Sequence, residues 1–144
     1  MNKTELMNIL PHRDNMLLID EAAVVDGEAV GSYTVTGEEW FLKGHFPGNP
    51  VVPGIVLCEM MGQACCVLLA DVAKNCTPYF TGLDKVKFRQ VVRPGDRLDI
   101  TCTLLKSRPP FYFAKGSGKV NGKLAVSGEF SFALKAESDS AGRD

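Results

Sequence analysis

The chain is poor in histidine and lacks the cysteine spacing of a metal site. Only two histidines occur in its 144 residues, His12 and His45. The five cysteines are odd in number, form no CxxC pair, and three of them fall in one apolar stretch. Scattered cysteines and two histidines give no ligand pattern for zinc. The sequence therefore predicts no metal site, and free thiols kept in a reducing cytoplasm.

The net charge is also small, and we find no targeting signal. The formal net charge is -1, so no global field attracts nucleic acid, and an acidic partner would need a local basic patch. No basic region followed by an apolar core opens the chain, so we predict no secretory signal. No repeat or linker divides it. We predict a single domain over residues 1–135 and a polar, disordered tail over residues 136–144.

What the sequence does have is a loop rich in proline and glycine, followed by an apolar helix. Three prolines and three glycines fall within residues 44–54, which excludes a regular helix or a central strand there. The next residues predict a buried helix from about Gly54 to Ala73, with Pro53 at its first position. Only Glu59 and Gln63 interrupt its apolar surface, and a spacing of four places them on one face. These polar residues argue against a membrane span.

The rest of the chain predicts antiparallel strands. Asp26-Gly27 and Asn121-Gly122 are hairpin turn signals, and the Arg-Pro-Gly-Asp run at residues 93–96 is typical of a turn. A short helix through about Ile9 precedes them. Because one apolar helix must be covered by a sheet, we predict an α+β fold. Strands are predicted at about residues 16–25, 28–36, 79–92, 98–104, 111–120 and 124–134.

His45 and Glu59 are the candidates for proton-transfer chemistry. An imidazole titrates near neutral pH, and burial of Glu59 is expected to raise its carboxyl pKa and favour the acid form. The free N–H of Gly54 at the helix start would stabilise a developing oxyanion. These parts suit proton abstraction next to a carbonyl. A structural loop with a salt-bridged glutamate is the alternative, and His12, beside a helix-ending proline, fits a structural role better.

Four segments together resemble the (3R)-hydroxyacyl-[acyl-carrier-protein] dehydratases of the FabZ type. They are LPHR at residues 10–13, GHFPGNPVVPG at 44–54, EMMGQ at 59–63 and DKVKFR at 84–89. The resemblance covers about residues 5–134 and implies a hotdog fold, in which a curled antiparallel sheet wraps a long central helix. It implies dehydration of a 3-hydroxyacyl thioester, carried by acyl carrier protein, to the trans-2-enoyl product of type II fatty acid synthesis. Because both steps are proton transfers, it implies no cofactor.

The resemblance also implies roles for the two candidate residues and for assembly. His45 matches the catalytic histidine, which takes the C2 proton, and Glu59 matches the catalytic glutamate, which helps the 3-hydroxyl group leave as water. In the family the two side chains meet across a dimer interface, one from each subunit, and three dimers form a hexamer. Isomerising relatives have aspartate where Glu59 stands, so this residue favours the FabZ type without excluding isomerisation.

Further residues are implied to contact the substrate. Gly54 matches the glycine whose N–H contacts the thioester carbonyl, and Gln63 matches a glutamine that orders the surroundings of the glutamate. Tyr79 falls at the position of an aromatic gate over the acyl tunnel. Phe46 and Pro53 complete the predicted substrate-binding set.

Five basic residues form a segment late in the predicted third strand and the turn after it. They are Lys85, Lys87, Arg89, Arg93 and Arg97. The functional interpretation of this segment is a docking patch for acidic acyl carrier protein, and the alternative is a solvated sheet edge.

The sequence departs from the family pattern at one place. Asp14 and Asn15 replace an aromatic residue and proline of the family, which leaves the local backbone and a subunit contact open.

Two other functions remain alternatives. One is a hotdog hydrolase of acyl thioesters, which the Pro-Gly-Asn-Pro loop argues against. The other is a catalytically silent module that binds acyl thioesters, which the intact pair of His45 and Glu59 argues against.

Overall fold

A computed structural model of the chain describes residues 1–136. Apart from Ala136, which ends the last strand, the predicted tail lies outside the described residues. Short 3₁₀ turns occur at Asp14–Met16, Trp40–Leu42 and Cys66–Leu69. The helices and strands are α1 (Lys3–Leu6), β1 (Glu21–Val25), β2 (Glu28–Thr34), α2 (Gly54–Cys65), α3 (Ala70–Ala73), β3 (Cys76–Phe88), β4 (Arg97–Arg108), β5 (Phe111–Val120) and β6 (Lys123–Ala136).

The six strands form one antiparallel sheet in the order β1-β2-β4-β5-β6-β3. Both predicted hairpin signals are confirmed. Asp26 and Gly27 join β1 to β2, Asn121 and Gly122 join β5 to β6, and all four residues have positive φ, as a type I′ turn requires. Strand β3 follows the helices and pairs with β6, which makes it the far edge of the sheet.

The central helix α2 lies inside the curl of this sheet. It packs against β2, β4, β5 and β6, and successive strands can share one helix only if the sheet bends around it. Met60, Ala64 and Cys65 on this helix are completely buried. The predicted α+β architecture, a long central helix wrapped by a curled antiparallel sheet, is confirmed.

The helical stretch differs from its prediction in two details. It runs over the predicted residues but tightens to a 3₁₀ turn at Cys66–Leu69, where it packs against β1 and β2. Pro53 is the N-cap rather than the first helical residue, since its carbonyl accepts the N–H of Val56. By length and composition the stretch is apolar enough to cross a membrane, but 61% of its most apolar window is buried inside the protein. Burial under the sheet accounts for this composition.

Two strands were predicted to be several residues longer than they are. Residues 16–20 precede β1 because part of their backbone is bonded to the Gln63 side chain on the helix: the N–H of Leu18 donates to it and the Met16 carbonyl accepts from it. Strand β3 ends at Phe88 because the chain then leaves the sheet to support the loop before α2. There the N–H of Val52 donates to the carbonyl of Val92 at 2.8 Å.

Candidate active site

The Glu59 carboxylate is held on the first half of α2 by two hydrogen-bond donors. Its Oε2 accepts from Gln63 Nε2 at 2.9 Å and lies 3.3 Å from His12 Nε2. Gln63 also accepts from the Leu18 N–H at 2.8 Å and donates to the Met16 carbonyl at 2.9 Å. Only 1% of Gln63 is exposed. This side chain therefore clamps the segment that carries His12 onto the helix that carries Glu59.

These donors decide the charge of Glu59. Burial raises the pKa of the carboxyl group, but the hydrogen bonds from His12 and Gln63 lower it by more, and the resulting pKa lies below the ordinary glutamate value. Hydrogen bonds donated to an anion stabilise the charged form. The expectation of a raised pKa was therefore wrong for the single chain, in which Glu59 is a carboxylate at neutral pH.

A cavity of about 50 Å³ lies beside this carboxylate, between α2 and strands β3 and β6. The Phe80 ring packs against Gly62, where an added Cβ would lie 2.7 Å from the ring. Tyr79, the predicted gate, pairs with Ala133 and is 48% exposed, and it does not line this cavity. The lining residues are His12, Glu59, Gly62, Gln63, Cys66, Pro78, Phe80 and Phe132.

His45 sits in the predicted shaped loop, which backbone hydrogen bonds close on itself. The N–H of Val51 donates to the His45 carbonyl at 2.9 Å, and His45 Nδ1 lies 3.1 Å from the Val51 carbonyl. Because a carbonyl only accepts, this bond places the proton on Nδ1 and leaves Nε2 with a free lone pair. The Phe46 ring stacks on the imidazole at 4.2 Å between centroids and is itself half exposed.

The single chain does not bring His45 to the carboxylate. Within residues 1–136, the histidine that lines the Glu59 cavity is His12. The prediction that His45 and Glu59 meet across a subunit interface therefore stays a prediction. Over the same residues no group of three or more potential metal ligands is found.

The start of α2 places a backbone donor beside an aromatic ring. Gly54 is the first residue of the helix, so its N–H has no partner within the helix. The Phe88 ring lies against Gly54, because an added Cβ would be 2.7 Å from it. Pro53 caps the helix without a side-chain hydrogen bond. The exposed ring of Phe88 thus borders the donor predicted to contact a thioester.

The structure divides the predicted basic patch. Lys85 lies on the exposed edge strand β3, and its Nζ is 3.4 Å from Oε2 of Glu129 on β6. Lys87 and Arg89 follow it and are exposed. Arg97 begins β4, and β5 and β6 lie between that strand and β3 in the sheet. Its guanidinium is paired with carboxylates at 2.9 and 3.3 Å. Closeness in sequence therefore did not place Arg97 beside Lys85.

The loop between the first helix and β1 contains the departure from the family pattern. Asp14 has a φ of 52° and opens a 3₁₀ turn that ends at Met16. The Trp40 indole N–H donates to the Asn15 carbonyl at 3.0 Å. These contacts stabilise a local backbone without an aromatic side chain or a proline at those positions.

Sequence reasoning missed the contact between His12 and Glu59. A signal for it was present: His12 lies in one of the four motif segments, and Gln63 is a polar residue on an apolar helix. Pairing these distant segments required the tertiary structure.

Comparison with known proteins gives a consistent picture. A family model of the FabA-like domain matches residues 10–129. The 3-hydroxyacyl-[acyl-carrier-protein] dehydratase FabZ of Enterococcus faecalis is 46% identical over 135 residues, 91% of this chain and 96% of the relative. The protein of the same name from Oenococcus oeni is 42% identical over 139 residues, 94% of this chain and all of the relative.

Solved structures share the fold at lower identity. The dehydratase heterocomplex ApeI:P from Xenorhabdus doucetiae matches with a TM-score of 0.79 at 23% identity, covering 96% of this chain and 95% of the matched one. A mutant of the fluoroacetyl-CoA-specific thioesterase FlK matches with a TM-score of 0.67 at 14% identity, covering 86% of this chain and 96% of the matched one. At these identities the likeness concerns the fold, and the predicted hotdog fold is confirmed.

Proposed function

The chain belongs to the FabA-like family, and from this membership we propose that it is a 3-hydroxyacyl-[acyl-carrier-protein] dehydratase of the FabZ type. It is a hydro-lyase that converts the (3R)-hydroxyacyl thioester to the trans-2-enoyl thioester in fatty acid synthesis. The observation that carries this function is the 46% identity to a FabZ dehydratase over nearly the whole of both chains. The position of Glu59 beside a cavity with aromatic rings in its lining supports it, because the reaction needs a proton-transferring group where an acyl chain can enter.

The proposed mechanism assigns one proton transfer to each candidate residue. His45 Nε2 takes the C2 proton, since the bond from Nδ1 to the Val51 carbonyl keeps the lone pair on Nε2. The electron pair left on C2 moves towards the thioester oxygen, which the N–H of Gly54 stabilises. Glu59 donates a proton to the 3-hydroxyl group, which leaves as water as the C2–C3 double bond forms.

A site shared between two subunits accounts for the separation of His45 from the Glu59 cavity. Strand β3 walls that cavity and is the sheet edge, with the large apolar side chains of Tyr79, Leu83 and Phe88 exposed. A long edge strand of this kind is a template for pairing with another chain. We infer a dimer formed along β3, in which Tyr79 gates the acyl tunnel. Three such dimers form the hexamer that the family resemblance implies.

The remaining proposals concern the carrier and the compartment. Lys85, Lys87 and Arg89 form the part of the basic segment that stays together on β3 and just after it. The contact of Lys85 with Glu129 is exposed, so it is weak and leaves the ammonium group free for an acidic partner. We propose that acyl carrier protein docks there. All five cysteines are free thiols, which supports a reducing compartment such as the cytoplasm.

One assay separates this function from its alternatives. The purified protein is given a 3-hydroxyacyl thioester of acyl carrier protein, and enoyl product and free thiol are followed together. We expect reversible formation of the enoyl thioester with no free thiol. Release of free thiol would identify a hydrolase, and binding without turnover would identify a silent acyl-thioester module. Either result would overturn the proposed function.

A further inference from the structure

We propose that His12 and Glu59 share one proton, so that the acid of the dehydration step is this pair, with His12 as the positioning and proton-relaying residue. The inference deepens the proposed dehydratase function and rests on it. It starts from the geometry of the cavity, in which the two side chains meet although they are far apart in the sequence.

The carboxylate is oriented by donors on one of its oxygens. His12 Nε2 and Gln63 Nε2 both approach Glu59 Oε2, at 3.3 and 2.9 Å. The His12 and Glu59 side chains are 18% and 27% exposed, so their contact is only partly screened by water.

The second ring nitrogen of His12, Nδ1, is the atom at which the incoming proton binds. With the Nε2 proton directed at Glu59, Nδ1 holds a lone pair, and this atom is buried with no hydrogen-bond partner among residues 1–136. A histidine with a purely structural role would be expected to have its second nitrogen bonded, because a buried unpaired polar atom is costly. The unpaired Nδ1 of an imidazole in the cavity wall has a lone pair that can bind a proton.

The relay balances protons over one turnover. Dehydration places a proton on His45 and removes one from Glu59, so Glu59 must regain a proton before the next cycle. A proton from water binds His12 Nδ1, the Nε2–H bond breaks, and the released proton binds Glu59 Oε2. His45 releases the C2 proton to solvent, where it neutralises the hydroxide left by that water. The deprotonated state of Glu59 at neutral pH, which follows from its lowered pKa, makes such a supply necessary.

No other charge of the described chain faces this pair. The thiols of Cys58 and Cys66 are neutral, because burial raises the pKa of each. The Arg13 guanidinium is turned away and donates to backbone carbonyls. Strands β3 and β6 contribute only proline and phenylalanine side chains to the cavity.

The test compares pH profiles of kcat/KM for the wild type, His12→Gln and His12→Phe. A glutamine amide can still donate to Glu59 but carries no titrating proton. We expect His12→Gln to move the alkaline limb of the profile at least about one pH unit lower, because the proton must then reside on Glu59 alone. His12→Phe, which removes donor and relay, should lose at least about tenfold more activity at neutral pH. A uniform fall in rate with unchanged limbs would reduce His12 to a structural role and overturn the proposal.

Nitrogen NMR of the imidazoles supplies a test that needs no substrate and no His12 variant. The chain has only two histidines, so His45→Ala assigns both signals by difference. We expect Glu59→Gln to change the chemical shift of His12 Nε2 at neutral pH, because the carboxylate that accepts its proton is gone. An unchanged Nε2 signal would overturn the shared proton. A wild-type protein without dehydratase activity would instead refute the proposed function.

Discussion

The opposite roles proposed for His45 and Glu59 rest on contacts that differ in kind. One backbone carbonyl sets the tautomer of His45, whereas two side-chain donors hold Glu59 as an oriented carboxylate. A base needs a free lone pair, and an acid needs a fixed oxygen and a source of protons. Neither side chain acquires its role from its own residue type alone.

Removal of either group tests these roles. We expect His45→Ala and Glu59→Gln each to lower kcat/KM for dehydration at least about 100-fold, because each removes one proton transfer. Circular dichroism should remain unchanged. Glu38→Gln, which makes the same chemical change at an exposed carboxylate, should keep the wild-type rate. A rate close to wild type in either active-site variant would refute the role given to that residue.

Gln63 contributes to stability as well as to the site. Gln63→Leu should lower the free energy of unfolding by about 1–3 kcal/mol, because it leaves the buried N–H of Leu18 and the carbonyl of Met16 without partners. Urea denaturation followed by fluorescence measures this loss. An equal stability of the two proteins would show that water or a rearranged backbone satisfies these groups.

Strand β3 is the element that carries a wall of the cavity, the proposed dimer contact and the proposed docking patch. Its inward side chains reach α2, where glycines let the rings of Phe80 and Phe88 approach the helix closely. Its outer edge carries apolar side chains, and its C-terminal part carries the lysines. A single edge strand can therefore link the substrate cavity to both a second subunit and a carrier protein.

The docking role of this strand is tested by charge reversal. Lys85→Glu with Lys87→Glu should raise KM for the acyl carrier protein substrate about tenfold or more while changing KM for a short pantetheine analogue little, since only the carrier is acidic. Lys74→Glu with Lys135→Glu makes the same charge change at exposed positions near the opposite end of β3 and serves as the control. Equal losses on both substrates, or in both variants, would count against the patch.

At the scale of the whole molecule, we propose that two chains complete each site, and mixing two inactive variants tests this. Inactive His45→Ala protein is mixed with inactive Glu59→Gln protein under conditions in which subunits exchange. A mixed dimer contains one site with both changes and one intact site. With random pairing we expect recovery of about a quarter of wild-type activity. Lack of recovery after demonstrated exchange would show that both residues act within one chain, or that the assembly differs.

The stability of the whole fold should depend on pH through two carboxylates. For Glu39, burial raises the pKa, but hydrogen bonds from the Thr36 N–H and the Tyr33 hydroxyl outweigh it and lower the pKa, as the donors to Glu59 do. A carboxyl group whose pKa is lowered in the folded state stabilises the fold at pH values above the ordinary glutamate pKa. This stabilisation is lost as the pH falls through the folded-state pKa. The urea concentration at the unfolding midpoint should therefore decrease as the pH is lowered from about 6 to about 3.

The variant Glu39→Gln isolates one of these contributions. Its urea midpoint should change less over the same pH range than that of the wild type, because one titrating carboxylate is gone. A variant with the full wild-type pH dependence would show that Glu39 does not contribute to it.

Local signals determined the elements of this protein. Proline and glycine in residues 44–54 predicted the loop, the dipeptides Asp26-Gly27 and Asn121-Gly122 predicted the hairpins, and a continuous apolar run predicted the helix. Each of these signals acts between residues a few positions apart, so the sequence alone could reveal it. The polar pair Glu59 and Gln63 stood out for the same reason.

Only the tertiary structure decided how these elements meet. The curl of the sheet brings the segment before β1 against α2, so His12 and Gln63 reach Glu59 and reverse the expected direction of its pKa shift. Strand register turns Phe80 rather than Tyr79 into the cavity, and strand order removes Arg97 from the lysines of β3. Such contacts join distant parts of the chain and depend on register and packing, which no local pattern specifies.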